Sequence, residues 1–208
     1  MDDRRIQILK EGKIGTRPNW YEYGMGYALW TSTRASCRNV RAGTYCADED
    51  HRTLSTGYNG GAPGIENCLE KGDCAKVLAT GKKYEETMNS GICIGIHGEM
   101  NALSNLDRSH TKGLVVFTSV FPCTSCAKNL LAYRPSQIIF KRFYDEREAN
   151  ATLNILQERK IEIFQLNLSP ERYLDVMFNQ PEVKFDAWSP EERKRVQKIL
   201  KKIPKSEN

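Results

Sequence analysis

Large aromatic residues recur at intervals of three and four between Trp20 and Ser36: Trp20, Tyr23, Tyr27 and Trp30. That period predicts a helix over Trp20–Ser36. Residues 1–19 lack a clear period and end in Thr16-Arg17-Pro18-Asn19. Val40–Ala47 and Thr53–Tyr58 are short β-prone runs, and the charged turn Asp48-Glu49-Asp50-His51 between them predicts a hairpin. A glycine-rich loop, Gly57 to Gly64, comes next, and residues 65–92 are polar and irregular. The helical period returns from His97 to Leu106, with Met100, Leu103 and Leu106 on one side.

Beyond that point the pattern alternates regularly. Leu114–Val120 is a strong strand and Pro122 stops it. Cys123–Leu131 reads as a helix, Gln137–Phe143 as a strand, Glu148–Glu158 as a helix and Ile161–Leu166 as a strand. The order β-α-β-α-β predicts an α/β fold whose central strands run parallel. Two late helices carry their own start signals. Ser169-Pro170-Glu171 places an N-cap Ser before Pro at the first helical position. Ser189-Pro190-Glu191-Glu192 adds Glu at the third position, a capping box. Residues 167–208 therefore read as a helical C-terminal extension of a single domain spanning 1–208, with its core at roughly 20–166.

The 208 residues, 39% hydrophobic and 27% charged, suit a folded domain rather than a disordered chain. Apolar runs such as Gly113–Val120 are too short to cross a bilayer, and Met1-Asp2-Asp3-Arg4-Arg5 opens no apolar targeting segment. The expectation is a cytoplasmic protein with no membrane partner. The formal charge is +5, and residues 191–208 hold seven basic against three acidic side chains, so most of the excess sits there. The near-neutral remainder gives little support to nucleic-acid binding by the body of the protein. The basic run reads first as the solvated face of a terminal helix.

Seven cysteines, an odd number, speak against a disulfide framework and leave metal binding, catalysis or burial. His97-Gly98-Glu99 opens one predicted helix, and Pro122-Cys123-Thr124-Ser125-Cys126 opens another at a strand-to-helix turn. This is the H-x-E…P-C-x-x-C signature of the zinc-dependent nucleobase deaminases. His97, Cys123 and Cys126 offer three ligands to Zn²⁺ and leave a fourth position for water, the arrangement of a catalytic site. Cys123 and Cys126 fall in a first helical turn, where the helix dipole favours thiolates. Glu99 stands close enough to move protons to and from water at the open position without ligating the metal. A bare C-x-x-C also occurs in structural zinc sites. The added His, Glu and Pro at matching elements make the combination far more specific.

The chain resembles the deoxycytidylate (dCMP) deaminase family of the cytidine deaminase superfamily. The resemblance rests on Arg34-Ala35-Ser36-Cys37, Gly57-Tyr58-Asn59-Gly60, His97-Gly98-Glu99-Met100-Asn101-Ala102 and Phe121-Pro122-Cys123-Thr124-Ser125-Cys126-Ala127-Lys128. It covers roughly residues 20–166 and leaves the first nineteen residues and the C-terminal extension uncovered. One departure is Gly98, where the family usually has Ala; Gly there should be tolerated sterically. The resemblance implies a three-layer α-β-α cytidine-deaminase-like fold with a central mixed sheet. It implies hydrolysis of dCMP to dUMP and ammonia, supplying dUMP for thymidylate synthesis. It also implies a homohexamer activated by dCTP and inhibited by dTTP, with Mg²⁺ accompanying a triphosphate effector.

Individual roles come the same way. The loop of Gly57, Tyr58, Asn59 and Gly60 would face nucleotide, with Asn59 on the sugar, and Tyr144 would meet the substrate phosphate. A turn after a strand is the plainer reading of the loop, and a half-buried strand-end aromatic that of Tyr144. Family members can carry a second, structural zinc. Cys37 and Cys68 match its ligands, and Cys74 and Cys93 would complete a closed four-thiolate site. The alternative for these four is burial as small hydrophobes, the reading also given to Cys46. His51 and His110 read as exposed loop residues. Two other functions compete: a tRNA adenosine deaminase, which would need a basic aromatic groove, and a zinc-stabilised nucleotide sensor, which would have no need of Glu99.

Overall fold

The structure, a computed structural model, describes residues 6–87, 91–107, 109, 111–144, 146–178 and 189–200. His110 and the basic residues Lys201, Lys202 and Lys205 lie outside the described residues. In chain order the elements are β1 (Gln7–Ile8), α1 (Trp20–Ser32), β2 (Gly43–Ala47), β3 (Thr53–Tyr58), β4 (Gly60–Gly61), α2 (Ala75–Thr80), a 3-10 turn (Tyr84–Thr87), β5 (Gly95–Ile96) and α3 (Gly98–Ser104). Then come β6 (Val115–Val120), α4 (Thr124–Leu131), β7 (Gln137–Arg142), α5 (Glu146–Glu158), β8 (Glu162–Gln165), α6 (Pro170–Phe178) and α7 (Pro190–Leu200).

Six strands form one mixed sheet in the order β1-β8-β7-β6-β2-β3. The pairs β6–β7, β7–β8 and β8–β1 are parallel, while β2 runs antiparallel to both β6 and β3. The predicted hairpin and the parallel centre are both present. The unforeseen addition is β1, whose two residues are too few to carry a period.

Side chains alternate along the central strands between two cores. Val116, Ile138, Phe140 and Ile163 join Leu103, Leu130 and Leu153 of α3, α4 and α5 on one face. Val115, Phe117, Ile139 and Phe164 join Met25 and Ala28 of α1 on the other. Helices α4 and α5 share a face because right-handed crossovers from β6 to β7 to β8 advance in one direction. The result is a three-layer α-β-α sandwich, with Cys46 fully buried in it.

The aromatic stripe of α1 predicts the helix but not its orientation. Trp20, Tyr27 and Trp30 are exposed, and Gly24, Met25 and Ala28 face the sheet. A Cβ at Gly24 would lie 2.5 Å from the Phe117 ring, so this helix seats on the sheet only through its small residues. Trp20 instead stacks on His51, whose ring centroid is 4.4 Å away in the β2–β3 turn. At the other end of the chain, Arg172 N donates to the Ser169 hydroxyl at 3.1 Å, as expected of an N-cap. Ser189 and Glu192 exchange the two bonds of a capping box. Helix α6 rests on α1, with Val176 and Met177 beside Gly26.

Candidate active site

Two helix starts face one another beyond the end of β6. His97 is the N-cap of α3 and Cys123 the N-cap of α4, both in extended backbone conformation. Pro122 ends the β6 run and fixes the chain direction into α4. The Cys123 sulfur accepts from Cys126 N at 3.5 Å, so the helix start itself solvates a thiolate. His97 makes no side-chain cap bond, which leaves its ring free for the cysteines.

The ring's Nδ1 lies 3.3 Å from Cys126 Sγ and 3.6 Å from Cys123 Sγ. All three ligand atoms fall within 4.8 Å of one another, the only such group among the described residues. Tetrahedral zinc at ordinary bond lengths holds N and S about 3.6 Å apart and two sulfurs about 3.8 Å apart. The donor set and its spacing therefore fit Zn²⁺. Glu99 stands outside the set, and its side chain is almost fully buried.

The protonation of these groups follows from their mutual contacts. The Cys126 thiol, then His97 and the Cys126 N–H, hold the Cys123 thiol down to about 4 against the opposing effect of burial. The same shared proton, with burial, pushes Cys126 up. The hydrogen bond with Cys123 raises His97, although burial works the other way. Burial raises the Glu99 carboxyl above the usual range.

A cavity of about 740 Å³ opens from this corner. His97, Glu99 and Cys123 line one end, and Asn59 and Gly60 also belong to its wall. Gly57 and Tyr58, expected to face nucleotide, are not in the wall. Gly57 lies inside β3, where a Cβ would come 2.2 Å from both Ala102 N and Gly98 O. Its work is to let α3 press against β3 and so bring His97 and Glu99 to the cavity. Asn59 is in the wall, but its amide is engaged: Oδ1 accepts from Ala42 N and Nδ2 donates to Val40 O, each at 2.7 Å.

Gly98 also has a local reason. A Cβ there would meet Gly57 O at 3.2 Å, Thr44 Oγ1 at 3.3 Å and Ala42 O at 3.4 Å. The space is tight for a Cβ, and glycine fits it without steric conflict.

Cys37, Cys68, Cys74 and Cys93 line the same cavity but form no second set of ligand atoms within 4.8 Å. Burial, and then the proximity of Cys74, Cys37 and Cys93, raises the Cys68 thiol. Tyr144 is in the wall, and its hydroxyl lies 2.6 Å from that of Tyr84. Lys76, Tyr84, Lys128 and Glu148 complete the charged and phenolic lining, and none of them stands in a motif that sequence reading singles out as a site. Lys128 closes the run Phe121–Lys128, whose chemistry rests on Cys123 and Cys126.

Residues 18–142 match the family model described as the cytidine and deoxycytidylate deaminase zinc-binding region. The chain belongs to this family. A relative named deoxycytidylate deaminase from Mycobacterium phage D29 is 28% identical over 129 residues, 61% of this chain and 98% of the relative. The Homo sapiens protein of that name is 27% identical over 134 residues, covering 64% of this chain and 71% of its own. The cyanophage S-TIM5 dCMP deaminase, solved in complex with dCMP and dUMP, superposes with a TM-score of 0.54 at 20% identity. That match covers 72% of this chain and 98% of the cyanophage protein. The shared fold is the cytidine-deaminase-like sandwich described above. As a member of this deaminase family the chain is a hydrolase with a zinc-type His/Cys/Cys centre. No described helix is long and apolar enough to cross a membrane.

Proposed function

We propose that this protein hydrolyses dCMP to dUMP and ammonia, using one water per turnover. The observation that carries the reading is the His97–Cys123–Cys126 triad with buried Glu99 beside it at the end of a nucleotide-sized cavity. The names of the relatives support dCMP over a tRNA adenosine as the substrate.

Zinc held by His97 Nδ1 and the two thiolates would supply a water nucleophile activated near neutral pH. Glu99 would move the protons: its carboxylate would take one from the attacking water, pass it to pyrimidine N3, and return a proton to the amino group leaving C4 as ammonia. Burial keeps Glu99 from exchanging that proton with bulk solvent. Asn59 holds the 40–42 segment against the sugar side of the cavity, and Tyr144 offers its hydroxyl to the phosphate.

The proposal extends to a second zinc held by Cys37, Cys68, Cys74 and Cys93. Their common place on the cavity wall and the mutual influence around Cys68 support it. It also extends to a homohexamer regulated by Mg²⁺–dCTP and dTTP, as the family resemblance implies. Metal analysis at two zinc per chain, falling to one in Cys68→Ser, would support the second site. A count of one in the native protein rejects it.

The test of the activity is a deamination assay on zinc-replete protein with dCMP, cytidine, dCTP and a tRNA. Turnover of dCMP that disappears in Glu99→Gln is the expected result. Activity confined to RNA would replace the reading, and dCMP turnover indifferent to added dCTP and dTTP would remove the regulatory part.

A further inference from the structure

The segment between β4 and β5 lines part of the same cavity as His97, Glu99 and Cys123. It contributes Lys76 from α2 and Tyr84 from the following 3-10 turn to the wall. Tyr144 comes to the same corner from the chain after β7, 60 residues later, and the two phenol oxygens stand 2.6 Å apart. The Lys76 ammonium lies 5.6 Å from the centre of the Tyr84 ring and donates to Thr87 O at 3.3 Å.

These groups have more protons to give than acceptors to receive them. Two phenols carry two protons, and their shared bond uses one. The ammonium carries three, and Thr87 O takes one. No carboxylate pairs with Lys76 among the described residues. Glu148, the charged wall residue near Tyr144, has its Oε1 engaged by Thr124 N at 3.0 Å. An unneutralised cation beside spare hydroxyl donors is a corner for an anion with several acceptor oxygens.

We infer that Lys76 and Tyr84 are specificity-determining residues that read the substrate's 5′-phosphate together with Tyr144, so that the protein selects a nucleotide over its nucleoside. The inference rests on the deaminase reading of the cavity and adds to it the segment between β4 and β5. With phosphate bound, its oxygens take the spare protons of Lys76 and Tyr84. Without it, the two tyrosines bond to each other.

The test uses the zinc-loaded full chain and variants Tyr84→Phe, Lys76→Met and Lys76→Arg. The readouts are kcat and KM for dCMP and the inhibition constants of dUMP and 2′-deoxyuridine. Tyr84→Phe and Lys76→Met should each raise the KM for dCMP and weaken dUMP about ten- to a hundredfold, the scale of one charge-assisted hydrogen bond. Inhibition by deoxyuridine should move less than about twofold, and Lys76→Arg should recover most of the loss. Equal weakening of dUMP and deoxyuridine, or no weakening of either, would overturn the assignment. Unaltered deoxyuridine inhibition and zinc content show that a variant has folded. A wild-type protein that turns over no cytosine mononucleotide would instead overturn the activity reading, and this inference with it.

Discussion

Arg172 and Glu22 form a two-pronged ion pair across 150 residues of sequence. Arg172 Nε lies 2.6 Å from Glu22 Oε1 and Nη2 lies 2.9 Å from Oε2, with both side chains buried. Glu22 also accepts from Gly12 N and Asn19 N, and Arg172 Nη1 donates to Lys13 O and Thr16 O. One buried pair thus ties the N-terminal segment, α1 and α6 together. Removing one partner leaves the other charged and buried, so Arg172→Met should destabilise by about 3–5 kcal/mol in denaturant titration.

The same pair gives a pH signature. Burial would raise the Glu22 carboxyl, but Arg172 and the two backbone N–H groups outweigh it and hold it below its ordinary value. A carboxyl lowered in the folded state contributes stability that is present above its unfolded pKa, about 4.3. That contribution is lost as pH falls toward the folded value. The stability gap between the native protein and Glu22→Gln should therefore be widest near neutrality and narrow below about pH 4. A gap that stays constant down to acid unfolding would refute the linkage.

Gly57 and Gly98 permit a closer approach of β3 and α3 than alanine would. The atoms that a Gly57 Cβ would strike, at 2.2 Å, are backbone and cannot swing aside. Gly57→Ala should lower stability by about 3 kcal/mol, at the upper end for overpacking, and reduce zinc retention because α3 carries His97. Gly98→Ala meets its neighbours only at 3.2–3.4 Å and should lower stability by less than about 1 kcal/mol. Thermal melts and metal content of the two variants decide between this ranking and its reverse.

What was legible in the sequence was local. His97 and Cys123 are helix N-caps and Cys126 stands in the first turn of α4, so local sequence signals already place each of the three ligands at a helix start. The strands β6, β7 and β8 are buried on both faces and announce themselves as apolar runs. The orientation of α1 was not legible, because the stripe with the strongest period faces outward and the small residues beneath Phe117 carry no periodic signal. Tyr84 was hidden for a different reason: residues 65–92 have no period, and its partner Tyr144 lies far along the chain.

Asn59 separates a structural from a substrate-facing role. Both ends of its amide bond the backbone of residues 40–42, which contribute Val40 and Ala42 to the cavity wall. Asn59→Ala should therefore lower the melting temperature as well as raise the KM for dCMP, since two half-buried backbone groups lose their partners. Asn59→Asp keeps the acceptor for Ala42 N but loses the donor to Val40 O, and should fall between. A raised KM at unchanged melting temperature would assign Asn59 to substrate contact alone.

Glu99 offers the sharpest division between holding the metal and moving protons. It lies outside the ligand set, so Glu99→Gln should bind zinc like the native chain while its turnover of dCMP falls by about 10²–10⁴-fold or more. His97→Ala and Cys126→Ser remove ligands and should lose zinc and activity together. Chelation of the native protein should abolish turnover, and added zinc should restore it. Glu99→Gln should not respond to added zinc, because its defect is in proton transfer. Loss of zinc from Glu99→Gln would place this carboxylate among the metal's supports and remove the separation of roles drawn from the geometry.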